Sequence, residues 1–164
     1  MPWLALPDIR KLHGKYAYET TENTNDAGLA NSSARLLPPG TVCLSRTASV
    51  GFVTILGKPM ATSQDFCNWI CGPDLDPEFL MYAFMASQDA LRELGSGAVH
   101  KTIYMPTIQT FHICVPEIDE QRRIARTLRE RLAAAEALTV GLKARLADIE
   151  RLPQRLLAAA FHQH

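Results

Sequence analysis

With 164 residues, 47% of them apolar and 21% charged, the chain has the length and the apolar content for one folded core with an appendage, and is too short for two full domains. Lys and Arg number 17, as do Asp and Glu, which excludes a bulk positive charge that would bind polyanions indiscriminately. That balance hides an asymmetry: residues 1–118 carry 8 basic and 11 acidic side chains, a net of −3, whereas residues 119–164 carry 9 and 6, a net of +3.

The opening "MPWLALPDIRKLHGK" lacks the basic start, apolar middle and small-residue cleavage site of a signal peptide. No run approaches the roughly 18 apolar residues that span a bilayer, so a cytoplasmic protein with no membrane partner is expected. "TTENTNDAGLANSSA" reads as loop. "LLPPGTVCLS" then supplies a Pro-Pro-Gly turn feeding a strand, and "GFVTIL" a second strand. Thr41 to Leu56 is therefore expected to form a β-hairpin with a polar tip that contains Arg46, Thr47 and Ser49. "FCNWIC" is a third strand candidate.

In "LDPEFLMYAFMASQDALRELGSG", Asp76 occupies an N-cap position, Pro77 the first helical position and Glu78 the first turn, and Gly95 is a natural stop. "GSGAVHKTIYMP" follows as a Gly-flanked loop with His100, Lys101 and Tyr104. "TFHICVP" has the alternation of a further strand, with Phe111, Ile113 and Val115 on one face. Strands separated by one helix give an α+β class: a small mixed or antiparallel sheet over residues 1–116, followed by a long C-terminal coiled-coil-type helix over residues 117–164.

In that helix Asp119 is expected to cap and Glu120 to reinforce the first turn. Ala125, Leu128, Leu132, Ala135, Thr139, Leu142, Leu146 and Ile149 recur in steps of three and four, which is a heptad seam. About 34 residues give a helix of roughly 50 Å, long enough that its apolar edge is expected to find a second helix, within or between chains. Gly141 costs about 1 kcal/mol relative to Ala and marks close packing, a hinge or a break. Pro153 removes a backbone donor and is expected to kink or restart the helix.

A search for chemistry eliminates more than it finds. "GFVTILGKP" has five residues between its glycines where a phosphate-binding loop has four, and Pro59 stands where that loop needs Ser or Thr. The "GSG" at Gly95 follows a helix rather than a strand, against a dinucleotide fingerprint, and no G-x-S-x-G elbow exists. "LLPPG" lacks both the amide and the ring of an aminomethylating tetrapeptide. Cys67 and Cys71 lack the C-x2-C spacing of a metal site, so with Cys43 and Cys114 they are expected to be reduced thiols, and no metal is expected. His100, Lys101 and Tyr104 admit two readings, contact with an anion such as phosphate or an idle solvent-facing loop. Arg46, Thr47 and Ser49 admit the same two. Ser63 and Gln64 are either satisfied turn residues or base readers, since Gln suits adenine and Arg suits guanine.

The order of these segments carries a resemblance. "NSSARLLPPGTVCLSRTASVGFVTILGKPMATSQDF", then "GSGAVHKTIYMPTIQTFHICVPEIDEQRRIA", then a long helix ending "LPQRLLAAAF", closely resemble the target-recognition module and spacer helix of type I restriction-modification specificity subunits, over about residues 20 to 161. Such subunits are non-catalytic, so the resemblance implies that this chain is not an enzyme, holds no cofactor and partners double-stranded DNA. Adenine methylation with S-adenosylmethionine would come from an associated methyltransferase subunit, and DNA cleavage from further subunits.

On this resemblance Arg46, Thr47, Ser49, Ser63, Gln64, His100, Lys101 and Tyr104 contact one half of a bipartite target. Leu128, Leu132, Ala135, Leu142, Leu146 and Ile149 form the helix interface. Family members usually carry two modules and two helices, so a half-length version is expected to homodimerise through its helix. The alternative is a truncated adaptor that binds the methyltransferase or dimerises without specific DNA binding. The family's module usually has further residues upstream, so Met1 is expected to enter it partway, either as a natural short version or as a fragment with an exposed sheet edge that binds DNA poorly.

Overall fold

The computed structural model describes residues 1–97 and 101–161. The chain divides into two compact units, residues 1–125 and 126–164. The first holds two four-stranded mixed sheets and five short helices, and the second continues a sixth helix.

Strand β1 (Pro2–Leu4) leads into α1 (Leu6–Lys11), followed by β2 (Tyr16–Ala17), β3 (Glu22–Asn23) and α2 (Asp26–Ala30). Next come β4 (Leu36–Leu37), β5 (Val42–Ser45), β6 (Val53–Leu56), β7 (Met60–Thr62) and β8 (Phe66–Trp69). The strand orders are β3-β1-β7-β4 and β2-β6-β5-β8. β1 runs parallel to β7 and β2 parallel to β6, while the other neighbours are antiparallel. β1 is therefore an interior strand, and the open edge expected at the N-terminus is not found there. The stretch read as loop contributes β3 and α2. Asn25 caps α2 through its Oδ1, which accepts the Gly28 N–H at 2.9 Å.

The hairpin of residues 41–56 forms as the turn and the two apolar runs imply. Val42, Leu44, Val53 and Ile55 face one core with Leu80, Met81, Phe84, Leu91 and Ile103, while Cys43 and Leu56 face a second core with Leu4, Ile9, Met60 and Phe66. Both faces of β5 are thus buried, which is why "TVCLS" is apolar or small throughout. Asp8 is buried on α1 without a cation. Its carboxylate accepts the Thr21 hydroxyl (2.6 Å), the Thr21 N–H (3.2 Å) and the Ala5 N–H (3.4 Å), which ties α1 to the turn before β3.

Asp76 caps α3 (Pro77–Ala86), its Oδ1 accepting the Phe79 N–H at 3.0 Å. The single helix expected to run to Gly95 breaks at Ser87, whose φ −95° and ψ 11° leave the helical region, and resumes as α4 (Gln88–Leu94). The break aims Gln88 at the hairpin, where its Nε2 donates to the Gly51 carbonyl at 3.0 Å. Gly51 has φ 88°, and a Cβ there would lie 3.3 Å from the Gln88 carbonyl, so the turn needs glycine.

After α5 (Met105–Ile108), the expected strand at 110–116 is absent: residues 110–116 form no ladder, and Ile113 and Val115 are exposed. Phe111, His112 and Ile113 instead line a groove with Ala83, Ala90 and Leu94 of α3 and α4. Their apolar alternation is spent against helices, not against a neighbouring strand.

Helix α6 (Ile118–Phe161) is 44 residues long, roughly 66 Å. Asp119 lies within its first turn, and the chain enters through the Glu117 carbonyl, which accepts from Glu120 (2.9 Å) and Gln121 (3.0 Å). Pro153 lies inside the helix without ending it. The missing N–H leaves the Ile149 carbonyl without its usual partner, and good helix formers on both sides sustain the remainder. Gly141 likewise continues the helix, with nothing within 4 Å of where its Cβ would be.

The first two turns of α6 belong to the first unit, because Gln121 and Ala125 are buried there. Gln121 is wholly inaccessible. Its Oε1 accepts the Asp76 N–H (2.9 Å), and its Nε2 donates to the carbonyls of Asp74 (2.9 Å) and Pro116 (2.8 Å). One amide thereby fixes the start of α6 to the loop before α3.

Candidate nucleic-acid interface

The hairpin tip and the loop after α4 lie about 55 residues apart in sequence and are stitched together by main-chain bonds. Thr47 pairs with Thr102 in an antiparallel bridge, and Thr102 pairs in turn with Ser96. The Ile103 N–H donates to the Arg46 carbonyl (2.8 Å) and the Ala48 N–H to the Lys101 carbonyl (2.9 Å). Ala48 takes a positive φ of 56° to make this turn. Arg46, Thr47, Lys101 and Tyr104 are therefore brought onto one surface, with Lys101 and Tyr104 exposed. Tyr104 also starts α5, its carbonyl accepting from Thr107 (3.0 Å) and Ile108 (3.1 Å). His100 lies outside the described residues.

Ser49 does not join that surface. It is buried, and its hydroxyl accepts the Arg10 Nε–H at 2.6 Å. Ser45, also buried, donates to the Ser49 carbonyl and accepts the Phe52 N–H at 3.1 Å. The expected base contact from Ser49 is thus corrected: a small hydroxyl in a tight tip is consumed in closing the tip. Arg10, which the sequence did not single out, is its partner.

The turn between β7 and β8 completes the site. Ser63 donates to Asp65 Oδ2 (2.9 Å) and accepts the Asp65 N–H (3.2 Å), so its hydroxyl builds the turn, while the Gln64 side chain is exposed. Arg46 is held from several directions. Its N–H donates to the Asp65 carbonyl (2.8 Å), its Nε to the Gln64 carbonyl (3.0 Å) and its Nη1 to the Ile103 carbonyl (3.4 Å). Beside it opens a cleft of about 320 Å³, lined by Arg46, Ser63 and Gln64 together with Arg35, Asn68 and Met105, among others. Arg35, Asn68 and Met105 escaped the sequence reading because nothing local in "SARLL", "FCNW" or "IYMP" marks them; only the pairing of β4 and β8 with their neighbours gathers them.

Burial pushes the thiols of Cys43, Cys67 and Cys71 up, which keeps them protonated and poor ligands. Among the described residues no group of three His, Cys, Asp or Glu side chains is placed to hold a metal ion, and no helix is long and apolar enough to cross a membrane.

In the second unit no residue from Arg126 to Phe161 is buried. The expected interface residues Leu132, Leu142, Leu146 and Ile149 are 47%, 64%, 57% and 61% exposed, and Leu128 and Ala135 are also exposed. Thr139 turns its hydroxyl back to the Ala135 carbonyl at 2.8 Å. Of the arginines near the start of α6, Arg122 pairs with Asp119 at 3.6 Å and Arg123 with Glu120, its Nε donating at 2.7 Å.

Two mixed sheets gather loop residues onto one surface, and a long helix with an exposed apolar edge follows them. Residues 7–147 match the model of the type I restriction modification DNA specificity domain, and the chain belongs to that family. It is 27% identical over 130 residues to the type I restriction enzyme MjaIX specificity subunit of Methanocaldococcus jannaschii, a match covering 78% of this chain and 30% of that protein. It is 28% identical over 99 residues to the HindI specificity subunit of Haemophilus influenzae, covering 59% and 21% respectively. The chain thus spans under a third of the length of either relative.

The fold agrees. A chain from a structural study of complex assembly and conformational transition in the type I R-M system superposes with a TM-score of 0.76 at 19% identity, over 99% of this chain and 38% of that one. The HsdS subunit from Thermoanaerobacter tengcongensis gives 0.60 at 23% identity, over 78% and 31%.

Proposed function

We propose that the chain is a non-catalytic, cytoplasmic specificity subunit of a type I restriction-modification system, with residues 1–116 reading one half of a bipartite DNA target. Residues 117–164 would dock methyltransferase subunits and pair with a second copy. S-adenosylmethionine belongs, on this reading, to the methyltransferase and not to this chain. The observation that carries the DNA-reading role is the main-chain stitching of the tip at Arg46–Ala48 to Lys101–Ile103, which fixes polar side chains from two loops on one surface. Gln64, Thr47, Lys101 and Tyr104 supply the donors and acceptors that base edges in a groove require, and a held hairpin tip places them without ordering cost on binding. Two α6 helices packed antiparallel along the seam would hold two reading units apart. Roughly 66 Å of helix exceeds the roughly 34 Å of one DNA turn, so half-sites at least a turn apart are in reach.

The test is selection from a random duplex library by the purified chain, with and without a methyltransferase subunit. Enrichment of a short half-site, or of two half-sites at fixed spacing, is expected. No enriched sequence in either arm would sink the DNA-reading role. A second reading is favoured by the net −3 of residues 1–118, which disfavours phosphate contacts: an adaptor that binds methyltransferase or dimerises without reading DNA. Capture of methyltransferase without duplex selectivity would support it.

A further inference from the structure

The cleft beside Arg46 differs from the hairpin tip in being concave and doubly cationic. Its lining includes two guanidiniums, Arg35 and Arg46, with the hydroxyl and amide side chains of Ser33, Ser63, Gln64 and Asn68, and no carboxylate. The contrast with the concavity at Asp8, Lys11 and Glu19 is one of sign, since acids dominate there. Asp65, adjacent in sequence to Gln64, is not among the lining residues and accepts the Ser63 hydroxyl at 2.9 Å. In a region with a net charge of −3, a concave, acid-free, doubly cationic site is a local reversal of the field.

We infer that this cleft seats one backbone phosphate of duplex DNA between Arg35 and Arg46. The inference rests on the DNA-reading role proposed above and gives the cleft a part in it that carries no sequence information.

Shape separates the two kinds of contact. Base edges lie at the floor of a groove and are reached by protruding elements, such as the tip at Thr47 and the side chains of Lys101 and Tyr104. The phosphodiester strand is the ridge of the duplex, and a ridge fits a cleft. Arg46 suits the role because two of its N–H groups are spent on the Gln64 and Ile103 carbonyls. The charge is anchored before any ligand arrives, and the remaining N–H groups are left for an anion. Arg35 is exposed and makes no hydrogen bond or ion pair among the described residues, so its full fork is available.

Asn68 adds a third element. Its Nδ2 donates to Thr62 Oγ1 at 2.9 Å, while its buried Oδ1 has no partner. Turning the amide by half a rotation keeps the Thr62 bond, with the hydroxyl now donating, and puts Nδ2 in the place of that oxygen as a further donor in the wall of the cleft.

The experiment uses the full chain and the duplex it enriches most, with affinity followed over a salt series. Arg35→Gln, at an exposed side chain without partners, leaves folding intact. It is expected to weaken binding roughly tenfold for every duplex in the panel alike and to lower the slope of log affinity against log salt by about 0.9. Arg46→Gln is expected to do the same, with circular dichroism and thermal melting confirming that the tip is still folded. A single neutral methylphosphonate linkage at the seated position should weaken the wild-type complex, weaken the Arg35→Gln complex less because only Arg46 still faces it, and leave an Arg35→Gln/Arg46→Gln double variant unchanged. An unchanged salt slope with lost discrimination at one base pair would overturn the inference, because the cleft would then be reading a base. Unchanged affinity for both variants would overturn it too. Failure of the wild-type chain to select any duplex is a separate outcome, which removes the DNA-reading role and the inference with it.

Discussion

The two units spend the same apolar residues in opposite ways. In residues 1–125, Leu, Ile and Val from two sheets and the short helices are packed into two cores, and the buried polar groups described above are bonded, except for one end of Asn68. In residues 126–161, Leu132, Leu138, Leu142, Leu146, Ile149, Leu156 and Phe161 are all exposed, and no residue is buried. A monomer that leaves so large an apolar face open carries an unmet free energy, at roughly 25 cal/mol for each Å² covered. The first unit has its own cores, whereas the second, on the proposed reading, is completed by another surface.

The sharpest way to break this contrast is to charge the seam. Leu132→Glu with Leu142→Glu should weaken self-association by about 4 kcal/mol, on the order of a thousandfold, because two carboxylates would be buried without partners. Sedimentation equilibrium reads the association, and thermal unfolding of the first unit should not move. If that unfolding shifts as well, the two units are not independent.

Next in size is Gln121→Ala, which strands the Asp76 N–H and the carbonyls of Asp74 and Pro116. A loss of about 3 kcal/mol from the first unit is expected in urea unfolding, with little change in the seam's association. An unaltered midpoint would show that the start of α6 is held by Ala125 packing alone.

A smaller effect separates the units by pH. His13 is half-buried and its Nδ1 accepts the Val53 N–H at 3.1 Å, which only the neutral ring can do, and burial first, with the Arg92 charge after it, holds its pKa below 6.5. A folded pKa below the unfolded one means that the stabilisation is complete above pH 6.5 and is lost as pH falls through the lower, folded value. Chemical denaturation should therefore show the first unit weakening between pH 7.5 and 5.5. His13→Asn keeps an acceptor without the titration and should flatten that dependence.

The smallest expected change is in the helix. Gly141 has open space around it and lies off the seam, so Gly141→Ala should add about 0.5–1 kcal/mol of helical stability without reducing association. A weaker dimer would place that glycine against the partner.

Legibility followed the range of the interactions. The Pro-Pro-Gly turn and the two apolar runs around a polar tip revealed the hairpin at 41–56, because both faces of β5 and β6 are buried and those signals are local. The Asp76-Pro77 start was visible for the same reason, since a cap bonds three residues away. The "TFHICVP" alternation misled because a period of two does not show what would bury its stripe: Phe111 packs against the core beside α3 and α4, while Ile113 and Val115 stay exposed. Gln121 lay four residues before Ala125 on the same helical face, so a polar side chain on an apolar stripe was the available signal. What it bonds was set by loops 45 and 47 residues earlier. At the candidate site the tip residues were in view, but the consumption of Ser49 by Arg10 across 39 residues was not.

The four free thiols form a graded set of chemical clocks. Cys114 is exposed, Cys67 and Cys71 are partly covered, and Cys43 is buried on the hairpin between the two cores with its thiol pushed up by desolvation. An alkylating reagent reaches Cys114 directly, but it reaches Cys43 only when β5 parts from its neighbours. The modification rate at that one sulfur therefore counts opening events of the sheet, with no label having to be introduced.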